Sequence, residues 1–203
     1  MKAVTMIRTG MLLSSLLLAG ACSVLPQPVA PGTMYDFGPA PQNAGQGPRI
    51  EKTIVLHDAV APAWMDGAGI HFRLLQSTPA QPRSYANSRW VMPPAALFTG
   101  RLKTRLAEVS RGAWSAGDGL RADLTLRLDV EEFAQWFDSP VASRAVVRVR
   151  ASLSSGREPA QQKSFSVERP AASPDAAGGV AALTAASDEA VAQIVAWVAA
   201  QKR

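Results

Sequence analysis

The sequence predicts a mixed α/β domain of the α+β kind, with a largely antiparallel sheet covered by two main helices. Three observations predict it. Leu124, Leu126, Leu128 and Val130 alternate with Thr125, Arg127, Asp129 and Glu131, and the same period of two returns over Ala145–Leu153 and Gln162–Glu168, as in strands with one face in a core and one in water. Phe98, Leu102, Leu106 and Val109 recur at spacings of 4, 4 and 3, one apolar stripe on a helix. Val180, Thr184, Ser187, Val191, Ile194 and Val198 follow a 4-3-4-3-4 rhythm in an Ala-rich, uninterrupted C-terminal segment, with Leu183, Ala190 and Trp197 beside them.

Taken in order, Met34-Tyr35-Asp36-Phe37 is an aromatic island that reads as an early strand docked on the sheet or as a sticky point in the tether. Thr53–His57 is a β-branched run and reads as a buried strand. Ala59–Trp64 bends at a proline, Met65–Gly69 turns, and Ile70–Leu75 alternates as a second strand. Gln76–Arg83, with Pro79 and Pro82, reads as a loop. Pro93 and Pro94 open the first helix, because proline is tolerated in a first turn; it runs to about Val109 and Gly112 ends it. Ala113–Gly119 is a short strand or turn around Trp114. The Leu124 strand continues irregularly through Phe133 and Trp136 until Asp138-Ser139-Pro140 breaks it, and Ser154-Ser155-Gly156 turns between the next two strands. These three strands read as an antiparallel meander. After a small-residue loop, Pro170–Gly179, the last helix runs from about Val180 to Gln201, with Lys202 and Arg203 suited to its negative end.

Ahead of the domain, residues 1–21 have the layout of a secretory signal. Lys2 and Arg8 precede an apolar run from Met11 to Leu18, and Ala19, Gly20 and Ala21 lead to the only cysteine, Cys22. The run is too short to span a bilayer, which needs about 20 residues. A sole cysteine directly after small residues looks like a bacterial lipobox, where the thiol takes a diacylglycerol and becomes the first mature residue; the box more often has Leu where Ala19 stands. The alternative is an ordinary signal cut nearby, leaving a free thiol. Two or more acyl chains give stable anchoring, so Cys22 lipidation predicts membrane attachment. Residues 22–50, with Pro26, Pro28, Pro31, Pro39, Pro41 and Pro48 among several glycines, read as a tether, and 51–203 as the domain. Extended, residues 24–50 would reach on the order of 90 Å.

Composition excludes several function classes. The formal net charge is +5, of which the leader supplies two, and no dense basic run argues for nucleic acid. One cysteine permits no disulfide within the chain, and the two histidines, His57 and His71, are too few for a metal site. No cofactor is expected. No Gly-x-Ser-x-Gly elbow is present, and Gly117-Asp118-Gly119 is a turn without the lysine and helix of a phosphate cradle. No catalytic residue is expected. His57-Asp58 reads as a base and its orienter or as a solvated strand end. Arg89 and Trp90, with Tyr85, are the best candidates for a specific role. They read either as a contact with a partner protein or lipid headgroup, since arginine binds phosphate and carboxylate bidentately, or as a lock holding the loop onto the sheet. Trp136 and Phe137 read as core or as an exposed tip, Trp64 as core, and Arg148 and Arg150 as a solvated face.

The lipobox, the Tyr85–Pro94 segment Tyr-x-x-Ser-Arg-Trp-x-x-Pro-Pro and the helix ending in Ile194-Val195-Ala196-Trp197-Val198 fall in this order along the chain. Together they resemble the ABC-type transport auxiliary lipoprotein family, over about Tyr35 to the C-terminus. The resemblance implies an α/β fold and the outer-membrane end of a periplasm-crossing lipid path. The implied partners are an MCE (mammalian cell entry) domain protein with its ABC permease and ATPase, and in some members a second copy of the chain. It implies no ATPase activity. Ser23 is similar to the outer-membrane-sorted kind of lipoprotein. The competing reading is a stand-alone periplasmic lipoprotein that holds a small apolar ligand in a pocket of several hundred Å³ between sheet and helix.

Overall fold

The computed structural model describes residues 32–41, 47–156 and 158–201; the leader, Cys22, Lys202 and Arg203 lie outside the described residues. Eight strands form one sheet: β1 (Thr33–Tyr35), β2 (Ile50–Leu56), β3 (Gly69–Leu74), β4 (Thr78–Trp90), β5 (Ser110–Ser115), β6 (Leu124–Ser139), β7 (Ala142–Ser155) and β8 (Glu158–Pro170). Among the described residues the α-helices are α1 (Pro94–Val109) and α2 (Ala176–Ala200). The fold is mixed α+β, as the alternation and the two stripes predict.

The long alternating run that ends at Ser139 is the axis of the sheet. Along one edge β6 pairs with β7, and β7 with β8, antiparallel throughout, which is the expected meander. The other edge of β6 is shared by elements running parallel to it. β2 pairs at Leu124–Leu126, Val60 bridges Asp129, and β3 pairs at Gln135–Phe137. β4 pairs antiparallel with β3, β1 parallel with β4, and β5 parallel with β2. Leu126, Leu128, Val147 and Val149 join Phe98, Leu102 and Leu106 of α1 and Leu183, Ala190 and Ile194 of α2 in one core.

Three irregularities decide which side chains face inward. Side chains alternate along a strand, so an extra residue reverses the parity. In β6 the register with β7 shifts between Val130 and Glu132. Before the shift the even-numbered Leu124 to Val130 join the core cluster; after it both faces are buried from Glu132 to Gln135, and it is Phe133, not Ala134, that joins that cluster. β4 is bulged twice against β3, between the pairs Leu74–Thr78 and Phe72–Arg83 and again between His71–Ser84 and Gly69–Arg89. The first bulge explains why Gln76–Arg83 is not the loop its prolines suggest. Pro79 and Pro82 stand where β4 is out of register, so no ladder hydrogen bond is lost to their missing N–H.

Two boundaries also move. Gly112 does not end α1: the helix passes directly into β5 at Ser110, and Gly112 lies in the strand, where an added Cβ would be 2.9 Å from the Trp114 ring. α2 begins at Ala176, four residues before Val180, because Asp175 caps it, accepting from the Gly178 N–H at 2.8 Å. Its buried face is wider than the predicted one and adds Ala182, Ala186 and Val195, since the helix packs against β6, β7, β8 and α1 at once.

The compact unit that holds this sheet starts at Pro31. Of the stretch expected to be tether, residues 33–35 are therefore β1, and Phe37 (6% exposed) and Ile50 are core residues.

Candidate functional site

The Tyr85–Pro94 segment lies on β4 and the short connection to α1, and its three candidate residues do not converge. Trp90 is 1% exposed and packs its ring against Phe37 and Phe133, with centroids 5.6 and 6.0 Å away. It is a core residue, and no partner reaches it in this fold. Arg89, its neighbour on the strand, points the other way and is exposed. Its contact is with Met34 Sδ at 3.9 Å, and it makes no ion pair among the described residues. Tyr85 is half-buried, tilted against Phe72 at 4.9 Å.

Tyr85 leads to a polar network that periodicity alone does not reveal. Its hydroxyl donates to Gln135 Oε1 at 2.8 Å, and Gln135 Nε2 donates to Ser143 Oγ at 2.8 Å. Gln135 is fully buried, and a Cβ on Gly179 would overlap its amide, so a glycine in the first turns of α2 is what lets the helix seat over it. Burial, with a smaller contribution from the Asp175 carboxylate, pushes the Tyr85 hydroxyl up to about 12. Unfolded, a tyrosine titrates at about 10. Between those values the unfolded chain gives up a proton that the folded chain keeps, so this contribution to stability is lost as pH rises from about 10 towards 12. Tyr85→Phe is expected to flatten that part of the stability–pH curve in denaturant titrations. At neutral pH it should cost about 1 kcal/mol through the lost hydrogen bond.

The N-terminal segment is fastened to α1. Arg101 Nη2 donates to the carbonyls of Phe37 and Gly38 at 2.6 and 2.9 Å, its guanidinium stacks over the Phe37 ring at 5.7 Å, and Nε reaches Asp188 of α2 at 3.4 Å. Burial raises the Asp188 carboxyl, and Arg101 opposes that shift. A cleft of about 410 Å³ opens between residues 36–40 and α1, lined by Phe37, Ala40, Met92, Ala96 and Leu97 with Arg101. A second, also of about 410 Å³, opens at the far end of β3 among Leu74, Gln76, Phe137 and Pro140. Both are surface clefts. The space between sheet and helices, where an enclosed ligand pocket was the competing expectation, is filled by Phe98, Leu102, Leu106 and Ile194, all 0% exposed.

On the face of the sheet opposite Phe133 and Gln135, Arg73 pairs with Glu132 at 3.1 Å under the Trp64 ring, which stacks 5.0 Å from the guanidinium. His71 stands edge-on to Trp64 at 5.1 Å, and burial, more than the nearby Arg73, lowers its pKa. Trp136 is half-buried beneath two guanidiniums, Arg148 at 5.0 Å and Arg144 at 5.5 Å. Arg148 is therefore a stacking residue, whereas Arg150 is exposed and pairs with Glu131. Phe137 lies on the other face against Phe72 at 5.8 Å. The exposed tip is the β6–β7 turn beyond it, where Val141 is 81% exposed.

Chemically this is an α+β sheet domain whose distinctive features are a clamped N-terminal strand, a buried polar network and apolar edges. Among the described residues no three His, Cys, Asp or Glu side chains gather as a metal would require, and no helix is long and apolar enough to cross a membrane. The chain belongs to the family of ABC-type transport auxiliary lipoprotein components, whose model matches residues 35–195. Its fold is similar to that of a protein from Xanthomonas campestris, with a TM-score of 0.68 at 19% identity over 86% of this chain and 96% of that one. It is also similar to a hypothetical protein from Chlamydia trachomatis, with a TM-score of 0.51 at 11% identity over 73% and 96% of the two chains. No curated protein matches the sequence.

Proposed function

We propose that the chain is a lipid-anchored accessory subunit of an ABC transport system built around an MCE-domain protein. In this reading it joins the periplasm-crossing path to the outer membrane and serves lipid trafficking and envelope integrity. The observation that carries the reading is the family match over residues 35–195. The leader and Cys22 of the sequence support the anchor: a diacylated cysteine holds a protein on a bilayer without a spanning helix. The subunit then acts through its surfaces, alone or with further copies of itself, and the permease and ATPase supply transport and its energy.

Cys22→Ala is expected to move the protein from the membrane fraction to the soluble periplasmic fraction. Continued sedimentation with membranes would sink the anchor. Separately, affinity capture of the lipidated protein from detergent-solubilised envelopes should recover an MCE-domain protein. Its absence, with the anchor intact, would remove the MCE system from the reading while leaving the family membership untouched.

A further inference from the structure

The first strand sets how far the domain can stand from its anchor. With β1 starting at Thr33, only the ten residues 23–32 separate the sheet from Cys22. Fully extended they span at most about 36 Å, less than half the reach of a tether ending at residue 50. A domain of this length is itself about 40 Å across. An acylated Cys22 would therefore hold the β1 edge within about 36 Å of the bilayer. The Arg101 clamp on Phe37 and Gly38 strengthens the constraint, because the segment following β1 is held to α1.

That edge is unusually apolar for a strand end. Met34 in β1 is 52% exposed, and Val91 and Met92, just beyond β4, are 43% and 45% exposed. They are neighbours: Met34 pairs with Arg89, and the Val91 N–H donates to the Tyr35 carbonyl at 2.8 Å. Arg89 stands among them, exposed and without a carboxylate partner among the described residues. Three apolar side chains around a guanidinium that no described carboxylate pairs match the two layers of a bilayer surface, acyl chains below and phosphates above. We propose that Met34, Val91 and Met92 dip into the membrane that holds Cys22, with Arg89 on a lipid phosphate. The anchored domain then has a fixed orientation, and the Leu74–Phe137–Pro140 cleft and Val141, at the other end of β3, face the periplasm. This rests on the lipid-anchor reading above.

The test uses the full lipidated protein in phosphatidylethanolamine–phosphatidylglycerol vesicles with brominated acyl chains. Met34→Cys, Met92→Cys and, as control, Val141→Cys each carry an environment-sensitive fluorophore. The expected result is bromine quenching at positions 34 and 92, none at 141, and weaker quenching at 34 when Arg89→Glu is added. Equal, unquenched emission at all three positions overturns the proposal. So does a change at 34 that follows protein concentration in the Cys22→Ala chain without lipid, which would assign the patch to a second copy. The label count separates the two readings. Cys22 is the only native cysteine, so one label per chain shows it blocked by lipid. Two labels per chain would mean a free Cys22, and the anchor would fail together with the orientation built on it.

Discussion

Trp90→Ala is expected to lower the unfolding free energy by about 3–5 kcal/mol, the range for truncating a buried tryptophan. The melting temperature should fall by on the order of 10 °C in a domain of this size. The reason is local: the ring is 1% exposed and meets Phe37 and Phe133 where β1, β4 and β6 come together. Removing it opens a cavity that the clamped 37–38 segment cannot collapse into. Arg89→Ala, one residue away, should change stability by no more than about 0.5 kcal/mol, as for a surface site. Thermal melts of the two variants side by side check the assignment. Equal losses would mean that Trp90 is not the hub of this corner.

Glu132→Ala should be similarly severe, at about 3–5 kcal/mol, because it leaves the charge of Arg73 buried without its partner. The side chains of Arg73 and Glu132 are 15% and 9% exposed, and Trp64 covers the guanidinium. Replacing both, as Arg73→Met with Glu132→Leu, is expected to recover most of the loss, since apolar residues of similar volume are often as stable as the ion pair they replace. Denaturant midpoints for Arg73→Met, Glu132→Leu and the double variant test this. Additive losses would show that the charges are not coupled.

The two stripes and the three alternating runs were legible because the period of apolar residues follows directly from helix and strand geometry. The Met34–Phe37 island could be read as a docked strand or as a sticky point in the tether, and pairing with β4 makes Thr33–Tyr35 the strand. Gln76–Arg83 has the prolines of a loop, but a bulge gives them places in a strand that need no N–H. Gln135 and Ser143 went unseen because the Val130–Glu132 bulge turns Gln135 inward, and a bulge has no composition of its own. The signal available for Gln135 was its spacing from Phe133, two residues along the same strand.

The candidate site divides in the same way. The segment Tyr85–Trp90 stood out in the sequence, but not the fates of its members, since those depend on the second bulge in β4 and on what lies across from each residue. Arg101 and Met92 carried no local mark of their own, and Met34 stood out only as part of the aromatic island. Their roles arise from a contact between residues more than sixty positions apart and from the edge at which β1 ends.

What the sequence by itself determined is the order and type of most elements and the family resemblance. All of these are written in short-range periodicity and motif. What only the tertiary structure decided is which side chains are core, which pair, and where the folded domain begins. Those follow from strand register, and one extra residue in a ladder turns every later side chain to the opposite face.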